Sequence, residues 1–384
     1  IGRLESMATS GNFVQLHNHT HYSLLDGASK IPDLVKRAKE LNMPAVGITD
    51  HGNMHGAYEM WSTAVNAGIK PIIGIEAYVT PETARQDPTR VSWDTNWNPN
   101  HRKRNPNDVS GGGLITHLTM WAETDEGLVN LMKASTDANL EGRVMRYPRM
   151  DKEILSKYSK GIIASSGCPS GIIQTRLLLG QFDEALRAAG ELQDIFGRDN
   201  FYIEFMDHGL NIERQVTDGL LDIAKTLNAP LVATNESHYV RAEEAGAQDA
   251  MLCINSGSTL DEPGRFKFDG TGYYLKSAEE MRELFKDLPE ACDNTLEIAE
   301  RCNVMFDDHE DGAFMPQFDC PEGWDETSLF LKKVEEGLEK RYDGNPPIEV
   351  LKQADYECGV ICQMQFCGYF LVVADYINWA QTHG

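Results

Sequence analysis

Histidines, carboxylates and one cysteine recur at the ends of short apolar runs along the first 240 residues. His17 and His19 are two residues apart, and so are Glu236 and His238. Residues two apart in a strand point to the same face, so each pair can serve one site. The full set at the run ends is His17, His19, Asp26, Asp50, His51, Glu76, His117, Cys168, Asp207, His208, Glu236 and His238.

These residue types together indicate metal chemistry. A single His or Asp at a strand end is usually structural or solvated, but here they concentrate although the chain has only 11 histidines. Imidazole, carboxylate and one thiolate suit borderline ions such as Zn²⁺, Mn²⁺ or Fe²⁺. A catalytic zinc takes about three protein ligands, so a set this large predicts two or three ions. Closely spaced ions can activate water and stabilise both reacting oxygens of a phosphoester.

Other residues near this set have two interpretations each. His21, two residues after His19, either points at the same mouth or is a capping or surface residue. His55, Asp50 and Asp207 are either partners that orient the metal ligands or ordinary capping and surface residues. His208 is a candidate phosphate contact on the same terms. The late group Cys358, Cys362 and Cys367 has spacings of four and five, which do not match paired CxxC zinc motifs. We therefore expect these cysteines to be small hydrophobic residues on a helix face.

The elements that must position the ligands follow a simple rhythm, in which Val- and Ile-rich runs alternate with helical patterns. The runs cover residues 13–17, 45–50, 72–79, 117–122, 161–166, 202–207 and 231–235. The helical patterns between them cover residues 30–42, 54–69, 125–140, 181–197 and 211–228. The alternation predicts parallel βα units, which an open sheet and a barrel both satisfy. Polar residues at many strand ends favour a barrel, because these ends then meet at one mouth.

Two parts of the chain depart from the rhythm. Residues 81–113 predict a long loop whose basic run at 101–104 is either solvated or placed against a phosphate backbone. Beyond residue 245, the pattern over 266–277 predicts two short strands around a turn. Helices are expected at 278–303, 325–342 and 350–364, with a domain boundary near residue 285.

Composition excludes several classes of protein. The 59 Asp and Glu against 35 Lys and Arg give a net charge of −24, which argues against coating DNA by charge alone. No apolar stretch reaches membrane-spanning length, and no secretory signal is visible. Eight cysteines spread over positions 168 to 367 predict reduced thiols in a cytoplasmic protein.

Long ordered strings in the chain resemble a known family. LHNHTHYSLLDGASK, AVGITDHGNMHGAYE, KPIIGIEAYV, SSGCPSG and ATNESHYV resemble the motifs of the PHP (polymerase and histidinol phosphatase) domain. More narrowly, they are similar to the N-terminal PHP domain of bacterial DNA polymerase III alpha subunits, the C-family replicative polymerases, of the actinobacterial type. FKFDGTGYYLKSAEEM and GYFLVVADYINWA are similar to segments leading into the palm of these polymerases. The resemblance implies a PHP-type (β/α)7 barrel over residues 11–285 and a partial, mainly helical start of the palm over 286–384.

The resemblance also implies a site and an activity. Its implied ligands for up to three ions are His17, His19, Asp26, His51, Glu76, His117, Cys168, Glu236 and His238. A water activated by these ions would attack the terminal phosphodiester in 3′–5′ proofreading, with Asp26, His19, Glu236 and His208 as the catalytic candidates. The implied partners are the DNA primer 3′ end, the remainder of the polymerase chain and other replisome subunits. The family usually has Asp where this chain has Glu236, which puts the rate of catalysis in doubt.

Three functions remain open at this point: a proofreading exonuclease, a metal-binding scaffold without catalysis, and a small-molecule phosphomonoesterase. The polymerase's Gly-rich loop and catalytic Asp pair are expected beyond Gly384, so polymerisation is not expected from this chain alone. Without the rest of the palm, we expect Phe370, Leu371 and Trp379 to be exposed and to promote association.

Overall fold

The computed structural model of the chain describes residues 12–93, 112–306 and 317–383. The chain divides into two compact units, the first ending at Phe306 and the second following it. The basic run at 101–104 lies outside the described residues.

The first unit contains eight strands and ten α-helices within its described residues. The strands are β1 Ala45–Ile48, β2 Lys70–Val79, β3 Thr116–Ala122, β4 Arg143–Val144, β5 Tyr147–Met150, β6 Ile162–Ser165, β7 Phe201–Phe205 and β8 Leu231–Ala233. The helices are α1 Ile31–Glu40, α2 Ala57–Ala67, α3 Asp125–Glu141, α4 Lys152–Lys157, α5 Ile172–Leu178, α6 Phe182–Phe196, α7 Asn211–Leu227, α8 Ala245–Ser256, α9 Ala278–Leu284 and α10 Pro289–Arg301. All five helices predicted up to residue 228 are present.

The sheet closes into a barrel through residues 13–19, which we call the closing segment. Around the ring the order is β1, β2, β3, β6, β7 and β8, with β4 and β5 attached beside β2. The closing segment fills the gap, since Gln15 bridges Val46 and Asn18 bridges Ser237, both in parallel. The backbone N–H of His19 donates to Ser237 O at 2.7 Å. The seven predicted runs therefore occupy the seven barrel positions, and the predicted fold class is confirmed.

One predicted feature of the barrel is wrong: its strands are not all parallel. β3 runs antiparallel to both neighbours, β2 and β6. The long excursion between β2 and β3 contains no helical crossover among its described residues, and an antiparallel pair does not need one. The reversal has a functional consequence. His117, near the start of β3, lies opposite Tyr78 near the end of β2 and so at the same mouth as the other strand ends.

The barrel interior is closed at the end opposite this mouth by α10. Each barrel position contributes inward-facing apolar residues, and α10 supplies the cap. This inner cluster contains Val14, Leu16, Ala45, Ile72, Trp121, Ile163, Tyr202, Val232, Leu296, Ile298, Ala299 and Cys302. Because α10 is buried in the barrel core, the first unit extends to Phe306 rather than ending near residue 285 as predicted. A larger apolar cluster lies between the strands and the outer helices.

The segment 266–277 contains no strand, so the predicted pair of short strands is wrong. Its single ladder contact is a bridge between Tyr239 and Tyr274. The segment is instead held by side chains, because Asn235 Nδ2 donates to Gly272 O at 3.0 Å and to Tyr274 O at 2.8 Å. Side-chain bonds of this kind leave no periodic trace in the sequence.

The described part of the second unit is three helices, α11 Glu326–Arg341, α12 Ile348–Gln363 and α13 Cys367–His383. Its core is small and includes Leu329, Phe330 and Leu371. Cys358 and Cys362 lie on α12 beside this core, and all eight cysteines of the chain are free thiols. Within the described residues no single helix is long and apolar enough to span a membrane; α12 and α13 reach that length only as a pair bent by 114°.

Candidate metal centre

The closing segment places His17 and His19 at the bottom of the barrel mouth, where both are fully buried. His17 Nδ1 lies 2.8 Å from Glu204 Oε1, which leaves Nε2 facing the mouth. His19 Nε2 lies 3.3 Å from Glu76 Oε2. The predicted period-two geometry therefore delivers two imidazoles to one carboxylate.

Asp50 organises the loop that follows the closing segment. Its carboxylate accepts bonds from Thr20 N at 2.7 Å and from Ser23 Oγ at 2.6 Å. Ser23 Oγ is in turn 3.1 Å from His19 Nδ1 and accepts a bond from His51 N. Asp50 thus orients two metal-ligand candidates without facing the mouth itself, consistent with a supporting role.

The next strands bring the central carboxylate and two more imidazoles. Glu76 on β2 is fully buried, and its Oε2 lies 2.6 Å from His51 Nδ1. His117 Nδ1 is 3.0 Å from Glu76 Oε1, and Cys168 Sγ is 3.5 Å from the same nitrogen. Asp26 completes this side, with Oδ2 2.9 Å from His51 Nε2.

The end of β8 supplies the last pair of candidates. His238 stacks on His19 with ring centroids 4.4 Å apart, and its Nε2 is 3.7 Å from Asp26 Oδ2. Glu236 adopts a left-handed backbone with φ of 43°, a conformation that Asp tolerates better than Glu. The left-handed residue turns the Glu236 carboxylate towards His17, His19 and Glu76.

All nine predicted ligands therefore meet at one mouth. Three overlapping groups have ligand atoms within 4.8 Å of one another: His19, His51 and His238; His17, His19, Glu76 and Glu236; and His51, Glu76 and His117. Several of these atoms are buried without an aligned hydrogen bond, although most of them lie close to another ligand candidate, namely His17 Nε2, His19 Nε2, Asp26 Oδ1, His51 Nδ1, Glu76 Oε2 and His238 Nε2. Buried polar atoms normally have partners, so convergent orphan donor atoms fit divalent cations between them.

The electrostatics of the cluster favour the same occupants. Burial alone would raise the pKa of Glu76, but His117 and His51 hold it well below its usual value. Burial and the Glu76 carboxylate raise the pKa of Glu236. Burial, Glu236 and Glu76 raise the pKa of the Cys168 thiol well above its usual value. Negative charge is thus crowded here, and a divalent cation would relieve the repulsion and favour the thiolate and both carboxylates.

Four further candidates lie outside the cluster. His55 is exposed, and the His21 ring packs at a tilt of 34° against the ring of Tyr22. Asp207 Oδ1 accepts a bond from Gly209 N at 2.8 Å, so it stabilises its own turn. His208 contacts Glu213 Oε1 at 2.7 Å through Nδ1 and Asn235 O at 2.9 Å through Nε2. Because both ring nitrogens are engaged within the protein, the structure gives His208 a structural role and not the predicted phosphate contact.

Glu204 is a site residue that the sequence pattern did not single out. It is fully buried on β7 and accepts bonds from Ser165 Oγ and, at 2.6 Å, from Thr234 Oγ1. Its contact with His17 Nδ1 fixes which ring nitrogen faces the mouth. A carboxylate inside an otherwise apolar run, YIEFMD, is the signal that could have identified it, since buried charges are normally paired.

Comparisons with known proteins identify the family to which the fold belongs. A family model for the PHP domain matches residues 15–208. The chain belongs to the PHP domain family. A second model, the bacterial DNA polymerase III alpha NTPase domain, matches residues 328–384.

Sequence relatives of this PHP chain include DNA polymerase III alpha subunits. It is 49% identical over 382 residues to that subunit of Mycobacterium tuberculosis, which covers 99% of this chain and 32% of the relative. It is 50% identical over 374 residues to that of Saccharopolyspora erythraea, covering 97% and 31%. The predicted kinship with alpha subunits of actinobacterial type is confirmed, and the chain spans about a third of the length of these relatives.

Solved structures add only a weak likeness. A putative metal-dependent phosphoesterase from Bifidobacterium adolescentis covers 72% of this chain and 96% of its own, at 16% identity and a TM-score of 0.36. This similarity is too low to bear on the function of the chain.

Proposed function

We propose that the barrel is a divalent-metal-dependent 3′–5′ exonuclease that removes mispaired nucleotides from a primer end during DNA replication. The observation that carries this proposal is the convergence of ligand atoms in three overlapping groups at one mouth, where several of the buried atoms have no aligned hydrogen bond. Two or three ions there, Zn²⁺, Mn²⁺ or Fe²⁺, would lower the pKa of a water molecule and neutralise charge on the phosphate.

The candidate ligands differ in how deeply they are buried, and this indicates different roles. His17, His19, Glu76 and His238 are buried and hold the inner part of the cage. Asp26, His51 and His117 retain 19%, 13% and 15% side-chain exposure, so they form the face open to a substrate. Asp26 Oδ2 contacts both His51 and His238, whereas Asp26 Oδ1 is buried without a hydrogen-bond partner and is free to bind an ion. The terminal phosphodiester would therefore be attacked on the Asp26 side.

The partners follow from the relatives. We infer that the chain acts in the cytoplasm as part of a DNA polymerase III alpha subunit, with the rest of that polymerase and other replisome subunits as its partners. The net charge of −24 leaves local cations at the mouth to attract the DNA end. Firm duplex binding would then depend on the other parts of the polymerase.

A nuclease assay tests the proposal. The chain is incubated with Mn²⁺ or Zn²⁺ and a 3′-labelled mismatched primer–template, alongside a generic phosphomonoester. We expect release of mononucleotides that is lost in Asp26→Asn and kept in Asp33→Asn, an exposed position on α1. Turnover of the monoester alone would replace the proposal with a phosphatase function. No release from metal-loaded protein would refute it.

A scaffold function is the second candidate, because Glu236 occupies a left-handed position that suits Asp better. In that case the ions would stabilise the fold without catalysis. Glu236→Asp separates the two candidates. Release of nucleotides that begins only in Glu236→Asp would identify this residue as the cause of lost activity, whereas chelation that lowers the melting temperature of an inactive Glu236→Asp variant would support the scaffold.

A further inference from the structure

Two series of aromatic rings lead from the metal-site histidines to the protein surface. On one side, the rings of His238 and Phe268 are 4.7 Å apart, and those of Phe268 and Phe266 are 6.1 Å apart. Phe266 ends the series with 62% of its side chain exposed. Single exposed apolar side chains are common on protein surfaces, so Phe266 bears on function only through its place in this series of rings.

On the other side, the series starts at His51 and His117. Tyr78 is 6.0 Å from the ring of His51 and 5.4 Å from that of His117, and Tyr147 is 5.0 Å from Tyr78. Gly52 makes room for Tyr78, since a Cβ atom at Gly52 would lie 2.7 Å from the tyrosine ring. The Arg146 guanidinium lies 5.3 Å from the centroid of the Tyr147 ring and ends this series with a cation.

Two apolar residues in strained backbone conformations complete the edge of the mouth. Leu25, next to Asp26, has φ of 60°, and Met145, next to Arg146, has φ of 55°. Both side chains are exposed, Met145 to 74%. Asn255 joins the two loops, because its Nδ2 donates to Leu25 O at 3.3 Å and its Oδ1 accepts from Arg146 at 2.9 Å. Left-handed bulky residues cost free energy and concentrate at functional sites.

We propose that this edge, which we call the rim (Leu25, Met145, Arg146, Tyr147 and Phe266), binds the last nucleotides of a single-stranded 3′ end. The proposal rests on the exonuclease function above. A nucleobase offers a flat π-face that matches Phe266 and Tyr147, and base–aromatic stacking is sequence-tolerant. Arg146 supplies a cation for a backbone phosphate next to the metal site.

The depth of the site explains why a single strand fits and a paired end does not. The inner ligands Glu76 and His17 are fully buried, so a terminal phosphodiester has to leave the duplex to approach them. Unpairing costs less for a mismatched end than for a matched one. The rim would hold the unpaired bases, and preference for mismatches would follow from the cost of unpairing without any reading of base identity.

A binding experiment tests the rim independently of hydrolysis. Asp26→Asn protein loaded with Mn²⁺ is titrated into an oligonucleotide carrying 2-aminopurine at its 3′ end, whose fluorescence falls when the base stacks. We expect Phe266→Leu in this background to weaken binding about tenfold, from the energy of one stacking contact. Phe182→Leu is the matched control, because Phe182 is also exposed and makes no ring contact among the described residues. Equal quenching and affinity in both variants would overturn the proposal.

A second arm uses an oligonucleotide with an abasic terminal residue, which keeps the phosphodiester and removes the base. We expect Phe266→Leu to slow release of a normal terminal nucleotide about tenfold and to leave release of the abasic residue unchanged. Equal slowing on both substrates would overturn the rim. If the wild-type chain cleaves neither substrate but quenching still depends on Phe266, the rim is supported and the exonuclease function fails.

Discussion

Glu204 shows how one buried carboxylate can set the properties of a metal site that it does not enter. It holds His17 Nδ1 at 2.8 Å and is fixed by two hydroxyl groups. We expect Glu204→Gln to weaken metal binding by roughly 10- to 100-fold, because His17 loses its orientation and basicity. Competition with a chelator measures this affinity.

The matched control is Glu297→Gln. Glu297 lies on α10, far from the mouth, and accepts a hydrogen bond from Tyr202, which is on the same strand as Glu204. It should leave metal affinity unchanged. Circular dichroism shows whether either variant has lost its fold. Equal affinities in wild type and in a folded Glu204→Gln variant would refute the positioning role.

At the level of residues, the ligand candidates could be identified from sequence because each combines a metal-binding type with a strand end. His117 is instructive, since it opens its strand and still reaches the mouth only because β3 is reversed. The contacts that support these ligands could not be predicted from the sequence in the same way. Nothing in the local sequence indicates that His208 is bonded on both nitrogens or that Phe266 ends a series of rings.

Among the elements, the closing segment depends on β3 as well as on its strand neighbours. Trp121 is fully buried and its Nε1 donates to Leu16 O at 3.1 Å. We expect Trp121→Phe to lower the free energy of unfolding by about 1–3 kcal/mol more than Trp61→Phe, because it leaves a buried carbonyl without a donor. Trp61 is a matched control, since it is also buried and its Nε1 has no partner. Urea unfolding of both variants measures the difference, and equal losses would contradict this role of the hydrogen bond.

The segment 266–277 was predicted wrongly because a single buried lysine and an amide hold it. Lys276 Nζ donates to Asn235 Oδ1 at 2.5 Å and also to Gly272 O. Burial lowers the pKa of Lys276 to about 8, although Glu280, Glu213 and Asp207 oppose the shift. Between pH 8 and the normal lysine pKa of 10.5 the unfolded chain binds more protons than the folded chain. Stability contributed by this group therefore rises with pH across that window.

This sign leads to a prediction for Lys276→Met. We expect the wild type to gain roughly 3 kcal/mol relative to this variant between pH 7.5 and 10.5, since each pKa unit corresponds to about 1.4 kcal/mol. Urea unfolding of metal-free protein at several pH values measures the gain. For the control Lys36→Met, at an exposed position on α1, the free energy of unfolding should change with pH as it does in the wild type. If the stability of Lys276→Met also followed the wild type at every pH, burial of the Lys276 ammonium group would have no measurable cost.

At the scale of the molecule, the acidic composition and the metal centre together determine how the chain could bind DNA. The charge of −24 excludes binding of DNA by a broadly basic surface. It is compatible with a site where bound cations and Arg146 act locally. The barrel class and the convergence of candidate ligands at one mouth were predictable because both depend on periodicity and strand ends, whereas the boundary at Phe306 depends on α10 packing into the barrel from a distant part of the sequence.

The second unit carries an apolar surface that predicts association. Phe370 and Trp379 on α13 are exposed as the sequence indicated, together with Tyr369, Tyr376 and Ile377, whereas Leu371 is buried. An apolar surface of this extent on one helix normally has a partner. The chain alone should therefore self-associate as its concentration rises.

Light scattering after size exclusion should show the mass falling to that of a monomer in the double variant Ile377→Lys and Trp379→Lys. Tyr356→Lys, an exposed position on α12, should not change the mass, and a monomeric wild type at high concentration would contradict the prediction.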